Sequence, residues 1–144
     1  MSRNKIIGIL HIKSLIGLDI SQEKTIGDLL ENEELTLRKP IYIQPEKTVE
    51  SMLIDFREGK SHMAIVSSDA DYMTRYLEEH SRSDSSDFTA EELKSYAIND
   101  EADVEETGGR SPSIHGARVL GIVTLEDVLE SILNQEILDE KDHD

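Results

Sequence analysis

Gly121-Ile122-Val123-Thr124-Leu125-Glu126-Asp127 runs an aliphatic strand straight into the opening of a helix, and a weaker copy, Gly8-Ile9-Leu10-His11-Ile12-Lys13-Ser14, stands near the start of the chain. The repeat predicts two related strand-to-helix units. In the second copy the turn carries chemistry. A Thr hydroxyl and an Asp carboxylate three positions later sit at a helix N-terminus, where free backbone N–H groups and the helix dipole favour an anion. The first copy has neither group.

Thr124-Leu125-Glu126-Asp127 also fits a helix cap, with the Thr oxygen accepting an N–H and the acid answering back. Capping boxes are common and need no ligand. Against this, Glu126 and Asp127 together would repel a phosphate unless one carboxylate turned to a ribose diol, as in dinucleotide sites, leaving Thr124 for the phosphate. Both readings stay open on the motif alone.

The remaining pattern is α/β. Residues 6–10 read as a continuous apolar strand, followed by a short amphipathic helix carrying Ile12, Leu15, Ile16 and Leu18 and ending near Gly17. Thr25 to Leu30 suggests a turn or two of helix, and Ile41-Tyr42-Ile43 a strand after the break at Pro40. Val49, Met52, Leu53 and Phe56 have helical spacing behind the turn Pro45-Glu46-Lys47-Thr48. Met63 to Val66 and Val119 to Val123 are strands, the latter feeding a helix over 125–133. Between those strands, residues 67–118 form an insertion rich in Ser, Asp and Glu. Two pieces of it look helical: 71–79, with Tyr72, Met73, Tyr76 and Leu77 on one face, and a capping box at Thr89 to Glu92 ahead of Leu93 and Tyr96. Its polarity predicts disorder for most of its length, including 84–113.

Composition bounds what the chain does. With 144 residues, 37% hydrophobic and 4% aromatic, it makes one modest domain with an aliphatic core. A net charge of -16 argues against nucleic acid as partner and against docking on anionic lipid. Absence of Cys removes disulfides and thiolate chemistry. The five His have no metal-ligand spacing, so neither metal site nor enzyme is expected, and His62 reads as structural.

The stretches Glu58-Gly59-Lys60-Ser61-His62-Met63-Ala64-Ile65-Val66, Val119-Leu120-Gly121-Ile122-Val123-Thr124-Leu125-Glu126-Asp127-Val128-Leu129-Glu130 and Glu136-Ile137-Leu138-Asp139-Glu140 resemble the cyclin M family, the eukaryotic magnesium transport mediators related to bacterial CorC. The match falls in their cytosolic pair of CBS repeats, or Bateman module. The resemblance implies a CBS-domain pair of β-α-β-β-α repeats. Residues 1–37 would supply the later part of an incomplete first repeat plus linker, and 38–144 a second repeat with its acidic insertion at 67–118. It further implies a non-catalytic regulatory module in the cytosol beneath a transmembrane domain of the parent protein, a homodimer binding ATP with Mg²⁺. Thr124 would meet the phosphates of the adenine nucleotide and Asp127 the ribose. Ser14, where the family has an acid, leaves the His11 and Ser14 pocket unfit for ATP, and a chain lacking half the first repeat would expose the edge of the 6–10 strand and bind nucleotide weakly. Eukaryotic members dock a phosphatase of the regenerating-liver type through an Asp in the insertion. The matching position here is Ile114, with Asp100, Asp103, Glu105 and Glu106 further off. The alternative reading is a non-nucleotide dimerisation and protein-interaction module recruiting such a partner through the insertion.

Overall fold

A computed structural model describes residues 6–19, 21–58, 61–81, 83–98 and 117–141, without the side chains of 97–98 and 135–141. Its elements in order are a 3-10 turn (Ile12–Leu15), α1 (Ile26–Glu31), β1 (Tyr42–Ile43), α2 (Val49–Glu58), β2 (Met63–Ser67), α3 (Ala70–His80), α4 (Ala90–Ile98), β3 (Val119–Thr124) and α5 (Leu125–Lys141).

The three strands make one sheet in the order β1-β2-β3. β1 runs parallel to β2, with Tyr42 opposite Ile65, and β3 runs antiparallel to it, with Ile65 opposite Ile122 and Ala64 opposite Val123. Parallel strands need a crossover, and α2 supplies it. Successive side chains of a strand point to opposite faces. Ile65 and Tyr42 therefore enter one core with Met73, Leu77, Phe88 and Tyr96, while Ala64 and Ile43 enter another with Met52, Phe56 and Val128. Helices α3 and α4 cover the first face and α2 with α5 the second.

The sequence places α1, β1, α2, β2 and β3 where they stand. α5 runs eight residues past the expected end at 133, to Lys141. Two expectations are overturned. Residues 6–10 are not a strand: their ladder is the single antiparallel pair Ile9 and Arg38, each N–H donating to the other's carbonyl at 2.9 Å. Nor is this stretch bare, since Ile6, Ile7 and Leu10 pack on the first core and the Tyr96 hydroxyl donates to the Ile6 carbonyl at 3.3 Å. Gly8 permits the approach, because a Cβ there would lie 2.9 Å from the Leu37 Cβ. The short helix expected over 12–18 is only one 3-10 turn. Gly17 ends it at φ +88°, a left-handed conformation that glycine tolerates, and Ile12 (79% exposed) and Ile16 (81%) reach solvent.

The larger correction concerns the insertion. Its described portion is ordered core rather than a disordered loop: Tyr96 is 1% exposed, and Met73, Leu77 and Phe88 are buried with it. Residues 99–116, the rest of the stretch expected to be disordered, lie outside the described residues. Backbone bonds stitch the insertion to the early chain, with Phe88 N–H donating to Leu37 at 2.8 Å and Lys39 N–H to Ser86 at 2.9 Å. Beside them the half-buried Lys39 ammonium donates to the Ser83 carbonyl at 2.8 Å and faces Glu92 at 3.5 Å. Glu92 in turn accepts the N–H of Ser83 at 2.7 Å and of Thr89 at 3.0 Å. Burial alone would raise its carboxyl, but the hydrogen bonds of Thr89 and Ser83 and the charge of Lys39 bring it down to about 2.

A group whose folded pKa is depressed stabilises the fold above its unfolded value, near 4.5, and loses that contribution as pH falls through about 2. Glu92→Gln should therefore cost about 1–3 kcal/mol near neutrality, and urea melts of parent and variant should converge as pH approaches 2. Tyr96→Ala should cost about 3–5 kcal/mol, as truncation of a buried aromatic does. A melt unchanged by that substitution would return the insertion to the status of a loop.

Candidate functional site

Thr124 ends β3 and Asp127 lies in the first turn of α5, so the strand-to-helix junction brings the two expected site residues together. Asp127 Oδ2 accepts both the Thr124 backbone N–H and its hydroxyl, each at 2.9 Å, while the Asp127 N–H donates to Thr124 Oγ1 at 3.3 Å. This is the capping box in full. The hydrogen bonds from the Thr124 backbone and hydroxyl hold the Asp127 carboxyl below its usual range. The two side chains expected to meet phosphate and ribose bind each other through Asp127 Oδ2. The second carboxylate oxygen, Oδ1, has no hydrogen-bond partner among the described residues, and Asp127 is exposed.

The same device occurs at α1. Asp28 Oδ2 accepts the Thr25 N–H at 2.8 Å and its hydroxyl at 2.7 Å, and the Asp28 N–H returns to Thr25 at 3.1 Å. What distinguishes the Thr124 junction is its surroundings. Ile122 lies two residues before Thr124, on the same face of β3, and is 56% exposed even though its cross-strand neighbour Ile65 is buried. The reason is coverage, since α3 packs on β1 and β2 and leaves β3 open at the sheet edge. Leu120 is exposed to the same extent. An apolar strip thus leads to a hydroxyl, a half-free carboxylate and the N-terminus of a long helix. Periodicity could not reveal that strip, because an exposed Ile on an edge strand reads the same as a buried one.

His11 and Ser14 are held in a local turn, the Ser14 N–H donating to the His11 carbonyl at 2.9 Å, and both are exposed. His62 is exposed and offers its carbonyl to the Leu125 N–H at 2.8 Å, steadying the start of α5. Among the described residues no cluster of three His, Cys, Asp or Glu could hold a metal ion, and no helix is long and apolar enough to cross a membrane. Asp100, Asp103, Glu105, Glu106 and Ile114 lie outside the described residues.

No family model matches the chain, and no solved structure matches it. Among curated proteins it is similar to a DUF21 domain-containing protein of Arabidopsis thaliana, 29% identical over 95% of this chain. The chain spans 31% of the length of that relative.

Thr124→Ala removes both the hydroxyl donor to Asp127 and the acceptor for its N–H, and should cost about 0.5–2 kcal/mol of stability. Asp127→Asn should lower the melting temperature near neutral pH. Its cap rests on a depressed carboxyl, so the difference from the parent should shrink as pH falls below the usual Asp value of 3.8.

Proposed function

We propose that this chain is a non-catalytic regulatory module of the CBS-pair type that senses adenine nucleotide, as ATP with Mg²⁺, within a membrane-protein mediator of magnesium or other divalent-cation transport. The observation that carries the reading is the convergence of Ile122, Thr124 and Asp127 at one open strand end. An apolar surface suits a nucleobase, a carboxylate oxygen without partner among the described residues suits a ribose diol, and a hydroxyl at the positive end of the α5 dipole suits phosphate oxygens. Asp127 would keep the cap with Oδ2 and offer Oδ1 to the sugar. Mg²⁺ would arrive on the triphosphate, since the described residues offer no ion cage of their own.

The element order supports the same reading. β1-α2-β2-β3-α5, with α3 and α4 inserted between β2 and β3, follows the β-α-β-β-α pattern of the repeat that the sequence resembles. The relative's DUF21 domain, a transmembrane domain in proteins of the cyclin M and CorC type, suits a membrane-protein parent with this module on the cytosolic side. Exposed Leu129 and Leu133 on α5 offer a face for a second copy, giving the homodimer.

A second reading, a protein-interaction module with no nucleotide that recruits a phosphatase through the insertion, draws on the twin cap at Thr25 and Asp28, where the same hydrogen bonds serve only to start a helix. The twin supplies the control. In calorimetric titration with ATP and Mg²⁺, Asp127→Ala should abolish the binding isotherm and Asp28→Ala should leave it intact. Equal effects of the two, or no heat from the parent chain at any ATP concentration up to the millimolar range, would establish the interaction reading.

A further inference from the structure

Residues 6–10 lie against the first core as a strap and not as part of the sheet. Among the described residues their ladder is the one antiparallel pair Ile9 and Arg38, and no residue from 6 to 19 is fully buried. Ile6, Ile7 and Leu10 pack on the core from its outside, and the Tyr96 hydroxyl clips the first of them by donating to the Ile6 carbonyl at 3.3 Å. Having spent its proton there, Tyr96 accepts from the Tyr42 hydroxyl at 3.2 Å. A buried pair of phenols thus lies against the strap. Gly8 stands between the two attachments, at Ile6 and at Ile9. A Cβ there would meet the Leu37 Cβ at 2.9 Å and the Arg38 carbonyl oxygen at 3.2 Å, atoms that cannot swing aside as the tip of a side chain does.

The seat of the strap is fastened independently of it. The Phe88 N–H donates to the Leu37 carbonyl at 2.8 Å, the Lys39 N–H donates to the Ser86 carbonyl at 2.9 Å, and the Arg38 guanidinium pairs with Asp87 at 3.6 Å. None of these bonds involves residues 6–10. Arg38 has Ile9 as its ladder neighbour on one side and Asp87 on the other, so losing the first leaves the second in place. Segments that open locally are those with few fully buried residues and few backbone bonds to the body of the fold. The strap has both properties and its seat has neither. We propose that residues 6–10 are a detachable strap, which opens as a unit over a seat that stays folded and so uncovers the Tyr42 and Tyr96 hydroxyl pair. Its far end runs into the turn whose Ile12 and Ile16 reach solvent, so a pull on that turn is a pull on the strap.

The test is backbone amide exchange on the 144-residue chain in low concentrations of urea. The Ile9 and Arg38 amides, which donate to each other's carbonyls, report the strap, and the Phe88 and Lys39 amides report the seat. The Ile65 amide, which donates to the Ile41 carbonyl at 2.7 Å, reports the sheet. Ile9 and Arg38 should exchange together, about tenfold or more faster than the other three, and with little dependence on urea because a strap exposes little surface when it opens. Gly8→Ala should strip protection from Ile9 and Arg38 while Phe88, Lys39 and Ile65 keep theirs. One rate and one urea dependence shared by all five amides of the parent chain would overturn the proposal. So would a Gly8→Ala chain in which strap and seat lose protection together, or one in which Ile9 exchanges as slowly as in the parent.

Discussion

Strand β2 is the constraint on which the molecule depends. It is the central strand of three, so β1 and β3 hydrogen-bond to it alone, and its five residues divide the interior by their alternation. Ile65 sends its side chain to one core and Ala64 to the other. A slip of one residue would exchange the two faces, putting the smallest side chain where the largest is needed. The helices on each side are placed by this choice. Ile65 packs among the side chains of α3 and α4, while Ala64 packs with Met52 and Phe56 of α2 and Val128 of α5.

How much of this was legible depends on whether the signal was local. Thr89 with Glu92 and Thr124 with Asp127 are two caps visible as spacing, and both form in the fold. The alternation of Ile41-Tyr42-Ile43 and the helical period of Met52 and Phe56 were equally local and equally readable. In the insertion composition and pattern disagree, and pattern prevails. Its Ser and Asp residues argue for disorder, yet Met73, Leu77, Phe88 and Tyr96 suffice to close a core against partners distant in sequence. Residues 6–10 failed in the opposite sense. An unbroken apolar run suggests a strand, but the run found only one backbone partner and packs as an irregular segment beneath Tyr96.

The candidate site shows the same division. Adjacency of Thr124 and Asp127 followed from their spacing, whereas the strip of Leu120 and Ile122 arises from what α3 does not cover and has no sequence signature. Within the described residues the cap and the open strip are separate facts joined only by the fold. Asp127 and Asp28 make the same set of cap hydrogen bonds in two settings, one opening a helix of 17 residues at a strand end and the other a helix of 6.

The bond from Tyr96 to the carbonyl of Ile6 spans ninety positions. Around it, Arg38 pairs with Ile9 on one side and Asp87 on the other, so the first core is assembled from segments scattered over most of the described chain. During synthesis this core has no means of closing until α4 has emerged from the ribosome, and every contact around it must first bear the entropy of a long loop. Until then Ile6, Ile7 and Leu10 lack the cover that Tyr96 gives them in the fold. One apolar segment thus waits on another that is made some ninety residues later.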